Sequence, residues 1–105
     1  MAFREMEHDG GEYITATFAN ENAVTVTAGN VTAIYCNKQT TNYNLSDYEL
    51  MGLVDFSFPS NMAYVSVNRL YADGTSSFIR VRNDSNASPS ISAAGAQMRI
   101  RYKKK

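Results

Sequence analysis

The chain is made of short runs in which apolar and polar side chains alternate, each stopped by Asn, Asp, Gly, Ser or Pro. Nothing else in it constrains the fold as much. Successive side chains of a strand point to opposite faces, so alternation marks a strand with one buried face. A core-facing helix needs a period near 3.6. "EYITATF" sets Ile14, Ala16 and Phe18 against Tyr13, Thr15 and Thr17. "AVTVTAGNVTAIYCN" gives Val24 and Val26 against threonines, then a Gly29-Asn30 turn signal and "VTAIYC". "LMGLVDFSF" is a nearly continuous apolar run. Its Gly52 suits a bulge or a close backbone approach, and Pro59 ends it. "AYVSVNRLY" places Val65 and Val67 on one face, and Asp73-Gly74 is a strong hairpin signal. "SFIRVRN" sets Ile79 and Val81 against Phe78, Arg80 and Arg82. After the loop "DSNASPS", "QMRIRYK" sets Met98, Ile100 and Tyr102 against Arg99, Arg101 and Lys103.

The best helical candidate is "NLSDYELMGL", with Ser46 as a cap and Glu49 three residues later. Gly52 interrupts it, so the segment predicts a loop with a helical turn leading into a strand. Seven or eight short strands therefore predict an all-β protein, an antiparallel β-sandwich or jelly roll. Residues 1–11 are expected to form a flexible acidic segment, and 12–105 a single domain of ordinary size. Prominent Tyr, Thr, Val, Ser and Asn, no Trp and two Pro agree with strands and turns. The one cysteine, Cys36, allows no internal disulfide and fits a small core residue. The start "MAFREMEHDGGEY" lacks the pattern of a signal peptide, and no apolar stretch is long enough to span a membrane. The expectation is a protein made in a cytoplasm, not exported by the usual signal and not inserted in a membrane.

Charge is balanced overall but not along the chain. Residues 1–60 carry eight acids and two bases, and residues 61–105 carry eight bases and two acids. Such asymmetry fits a polyanion partner, or two halves that face each other within or between chains. Arg80 and Arg82 on one strand and Arg99 and Arg101 on another stand against apolar opposite faces, with Arg69 on the strand before them. Were those strands neighbours, the arginines would repel one another unless acids such as Glu49 and Asp55 countered them. Contact with another subunit or partner is the favoured role for the five. Zero net charge and the acidic first half argue against nucleic acid.

No catalytic, metal or cofactor-binding residue is assigned. His8 with Glu5, Glu7 and Asp9 is a His/acid cluster on an end with no rigid element to make it converge. "DGTS" and "NDSN" are turn chemistry, without the length or acid count of a calcium loop. The sequence holds neither a phosphate-cradling loop nor a dinucleotide fingerprint. Seven tyrosines invite sugar stacking. Tyr43, Tyr48 and Tyr64 are the candidates for a glycan contact, whereas alternation favours core or interface for Tyr35, Tyr71 and Tyr102.

"YELMGLVDF" at 48–56, "VNRLYADGTSSFIRVRN" at 67–83 and "MRIRYKK" at 98–104 follow one another in a telling order. Together they resemble a recurrent C-terminal module of bacteriophage tail, baseplate and fibre proteins. The likeness spans residues 24–104, and Gly52, Leu53, Val54, Tyr71, Gly74, Asn83, Tyr102 and Lys103 carry it as structural positions. Where the modules have Ser, Thr and aliphatic residues, this chain has Arg80, Arg82, Arg99 and Arg101. The resemblance implies a small β-sandwich in a virion structural protein of tail-fibre, baseplate or capsid-decoration type. It further implies a homotrimer that contacts other virion proteins and, in attachment, a host-surface glycan, with the virion as its location. A stand-alone carbohydrate-binding module is the alternative.

Overall fold

The computed structural model describes residues 12–62, 64–73 and 76–105. The described residues form nine strands: β1 (Tyr13–Ala19), β2 (Val24–Thr25), β3 (Val31–Tyr35), β4 (Lys38–Gln39), β5 (Tyr48–Ser57), β6 (Val65–Tyr71), β7 (Phe78–Asn83), β8 (Ser90–Ile91) and β9 (Gln97–Lys104). Three of them are two residues long, so the count slightly exceeds the seven or eight expected. Short 3-10 turns occupy Leu45–Asp47 and Ser60–Met62. The first is the helical turn expected before β5, but its cap is Asn44, not Ser46. The Ser46 hydroxyl instead donates to Asn44 Oδ1 at 2.8 Å. The acidic segment 1–11, with its His8 cluster, and Gly74 of the hairpin turn lie outside the described residues.

All ladders are antiparallel. A first sheet runs β4-β1-β9-β5, a second runs β3-β7-β6, and β2-β8 forms a small ladder. The pairs β1–β9, β2–β8 and β3–β7 are nested. Residues 13–35 and 78–104 thus make one long double-stranded ribbon, bent at β2–β8 so that its halves lie in different sheets. Strand β5 extends the first sheet beside β9, and β6 extends the second beside β7. This is the winding of a jelly roll, with both added strands on one flank.

The alternation read from the sequence holds where the ribbon is regular. Ala16 and Phe18 of β1, Ile34 of β3, Ile79 and Val81 of β7, Ile91 of β8 and Met98, Ile100 and Tyr102 of β9 are buried. With Val26, Cys36, Met62 and Ala96 they form one core. Each large aliphatic side chain so buried contributes about 1.5–3 kcal/mol. Two buried amides pin the bends of the ribbon. Asn20 donates to the carbonyls of Asn22 and Ser92 and accepts from the Ala96 N–H. Asn83 donates to the carbonyls of Val26 and Ala87 and accepts from the Ser85 N–H and hydroxyl.

The added strands are irregular. Strand β5 slips register between Leu50 and Gly52 and again between Leu53 and Asp55, leaving Met51 and Val54 as extra residues. Gly52 carries a φ of +149°, which suits glycine, so the bulge expected there is found. Strand β6 slips once, between Val67 and Arg69.

Candidate functional site

The two basic strands are not neighbours: β9 lies in the first sheet and β7 in the second. The five arginines therefore divide into two surfaces of different character.

On the outer face of the first sheet, acids answer bases. The two slips of β5 set Glu49 opposite Lys103, Gly52 opposite Arg101 and Asp55 opposite Arg99. Arg99 Nε and Asp55 Oδ1 form an ion pair at 2.5 Å, and the hydrogen bond and attraction to Asp55 raise the Arg99 pKa. Facing glycine across β5, Arg101 meets an aromatic ring on its other side, that of Tyr13 on β1. Its guanidinium lies 5.4 Å from the Tyr13 ring centroid, with Lys103 Nζ at 5.9 Å from the same ring. A shallow depression of about 370 Å³ borders this face, lined by Met51, Gly52, Leu53, Val54 and Arg101.

The outer face of the second sheet is a small grid. The ladders align three rows across β3, β7 and β6: Tyr35, Phe78 and Tyr71; Ala33, Arg80 and Arg69; Val31, Arg82 and Ser66. Strict alternation along β6 would have sent Arg69 and Tyr71 to the same face as Val65 and Val67. The bulge at Asn68 reverses the parity and brings both to the outside. The Asn68 side chain then accepts a hydrogen bond from Arg80 Nε at 3.1 Å. Arg82 pairs with Asp84 at 2.8 Å, an exposed pair. Arg69 and Arg80 stand opposite one another, and neither joins an ion pair among the described residues.

The first row is aromatic from edge to edge. Phe78 meets Tyr35 at 5.6 Å between centroids with planes at 60°, and Tyr71 at 5.6 Å with planes at 31°. Tyr35 is 51% and Tyr71 43% exposed, so neither is a core residue, while Tyr102 is. At the Tyr35 end the row opens into a cleft of about 200 Å³ lined by Asn20, Glu21, Asn22, Val24, Ala33, Tyr35 and Asn37. The Asn20 amide is occupied by the backbone bonds described above, leaving Asn22, Asn37 and Glu21 to face an occupant.

The tyrosines singled out for a glycan contact are scattered. Tyr43 and Tyr48 meet edge to face at 6.1 Å beside the first 3-10 turn, and Tyr48 packs against the core. Tyr64, 80% exposed, makes no ring contact with either among the described residues. The aromatic row was missed because its members lie on three strands. The available signal was parity: Tyr35 shares a face with Val31 and Ala33, and Phe78 with Arg80 and Arg82.

Cys36 is buried, and desolvation pushes its thiol up to about 11, which keeps it protonated and inert. No group of three His, Cys, Asp or Glu among the described residues could hold a metal ion. No helix among them is long and apolar enough to cross a membrane. Comparison with protein-family models, with curated proteins and with solved structures gives no match to this chain.

Proposed function

We propose that the chain is a non-enzymatic structural protein of a bacteriophage virion, of tail-fibre, baseplate or capsid-decoration type. It works as a homotrimer, located in the virion, in assembly with other virion proteins and in attachment to the host surface. The observation that carries this reading is the open flank. Strands β5 and β6 end their sheets on the same side of the sandwich, and no further strand pairs with either among the described residues. Their apolar side chains are uncovered there: Met51 is 50% and Val54 51% exposed, and Leu50 and Val67 are exposed too. Long open edges with exposed apolar residues are association surfaces unless blunted. A head-to-tail contact of one protomer's β5 edge with its partner's β6 edge covers both apolar edges and closes as a ring.

Sedimentation equilibrium tests the assembly. The expected mass is three chains, falling to one in a Met51→Lys, Val54→Lys double variant whose circular dichroism stays that of a β-sandwich. A native protein that remains monomeric at high concentration removes the trimer. The second reading, a stand-alone carbohydrate-binding module, draws its support from the Tyr35–Phe78–Tyr71 row, in which two exposed tyrosines flank a half-buried Phe78.

A further inference from the structure

We propose that the outer face of the second sheet binds an acidic glycan, a sugar chain carrying carboxylate or sulfate groups. A pyranose ring stacks on the Tyr35–Phe78–Tyr71 row, and its acid group sits between Arg69 and Arg80. Hydroxyls of the next unit reach Asn22, Asn37 and Glu21 in the cleft. This inference rests on the attachment reading and gives it a ligand class and a place.

Three observations converge on the same square of surface. The first is the arginine row. Like charges directly opposite each other in a ladder are unfavourable, and on the first sheet the chain avoids the problem by setting acids opposite bases. On the second sheet it sets Arg69 opposite Arg80, with no acid in an ion pair to either among the described residues. An anion between the two guanidiniums supplies the missing charge, and each fork can bind a carboxylate or sulfate through two N–H groups.

The second is the aromatic row. It lies two residues along the strands from the arginines, a separation of about 7 Å. That is the reach needed for a ring to lie on the aromatics while an acid group on it meets the guanidiniums. Aromatic faces at the surface of an outward sheet suit the apolar face of a sugar ring. The third is the bulge. Asn68 turns Arg69 and Tyr71 outward together and holds Arg80 through its side-chain oxygen. One irregularity thus completes both rows and orients one of the two cations.

The cleft decides between polyanions. Glu21 borders it, with the amides of Asn22 and Asn37. Amides and a carboxylate suit the hydroxyls that a sugar chain carries on every unit and that a thymidine strand lacks along its backbone. The site also coexists with the trimer. Tyr35, Phe78, Arg80 and the cleft lie on β3, β7 and the β1–β2 and β3–β4 connections; Arg69 and Tyr71 lie on β6 but belong to the outer face of the sheet, whereas the subunit contact runs along that strand's free edge.

The test is affinity electrophoresis and calorimetry on the whole chain. The probes are polygalacturonate and chondroitin sulfate, with neutral dextran and a twenty-nucleotide thymidine strand as comparisons. Binding is expected to at least one acidic glycan, weakening as salt rises, with none to dextran. Arg69→Gln, Arg80→Gln and Tyr35→Ala should each weaken it about tenfold, while Tyr35→Phe retains it. Circular dichroism confirms that each variant is folded. Failure to bind either acidic glycan, unchanged binding by the folded Arg80→Gln and Tyr35→Ala variants, or tighter binding of the thymidine strand would each overturn the proposal. Sedimentation of the same samples separates the two readings. A trimer that binds neither glycan loses this site and keeps the assembly, and a monomer that binds through Arg80 loses the assembly and keeps the site.

Discussion

Arg69 of β6 and Arg80 of β7 face each other across the ladder because Asn68 is one residue too many for that strand. Bulges of this kind re-aim side chains, and here the extra residue also accepts the hydrogen bond from Arg80. Without the slip, Arg69 and Tyr71 would point to the core side and Leu70 to the surface.

The bulge leads to a prediction that runs against the usual cost of deletions inside a strand. Removing Asn68 makes the β6–β7 ladder regular while leaving Val67 and Leu70 inward and Arg69 and Tyr71 outward. Stability should change by about 1 kcal/mol or less. Removing Leu70 instead should abolish cooperative unfolding, since it shifts Tyr71 against the register that Val65 and Val67 fix. Thermal denaturation of the two deletions checks the pair, and equal damage from both would show that Asn68 is not a separable insertion.

The buried side chain of Asn83 holds the β7–β8 connection against Val26 through four hydrogen bonds. Asn83→Ala leaves the carbonyls of Val26 and Ala87 and the N–H of Ser85 without it. The expected loss is about 3 kcal/mol in urea titration. A loss below about 1 kcal/mol would mean that water replaces the amide in full.

The hydroxyl of Tyr102 is buried with no hydrogen-bond partner among the described residues, and burial, then Asp73, raises its pKa. An unpaired buried hydroxyl is a cost, so Tyr102→Phe should leave stability unchanged or raise it by about 1 kcal/mol. A clear loss in denaturant melts would reveal a partner for that oxygen.

Cys36 gives a pH dependence whose sign can be worked out. Burial raises its thiol from 9.0 to about 11. Below 9.0 the thiol is protonated in both states and adds nothing to the pH dependence. Between 9.0 and about 11 the unfolded chain releases a proton that the folded chain keeps, so stability falls as pH rises. The loss should be smaller in Cys36→Ala over that range. In the native state the thiol should resist Ellman's reagent at pH 8 and react once the protein is unfolded.

How much of this was legible in the sequence depended on regularity. Ile14, Ala16 and Phe18 of β1, Ile79 and Val81 of β7 and Met98, Ile100 and Tyr102 of β9 alternate without interruption, and their inward faces could be read directly. Strand β5 could be recognised as a strand but not oriented. Its inward residues, Leu50, Leu53 and Phe56, are spaced by three because Met51 and Val54 are extra. Gly52 hinted at one slip, and nothing in the letters marked the second. The grid was hidden for another reason. Tyr35, Phe78 and Tyr71 are far apart in the chain, and only strand order and register set them in a row. Which arginines had acids to face likewise depended on which strands became neighbours.

The nested ribbon also governs when this protein can fold. Strand β1 is made well before its main partner, β9. Until β9 emerges, β1 has only the two-residue β4 to pair with. The inner hairpin, β6 with β7, is the one long ladder that closes through a short loop, so it is the natural nucleus. The outer pairs, β3 with β7, β2 with β8 and β1 with β9, close progressively longer stretches of chain. Closing such distant pairs is slow, and the chain spends its synthesis with apolar strands unpaired. A ribosome stalled before residue 97 therefore holds a chain whose first sheet lacks β9, the strand that joins β1 to β5.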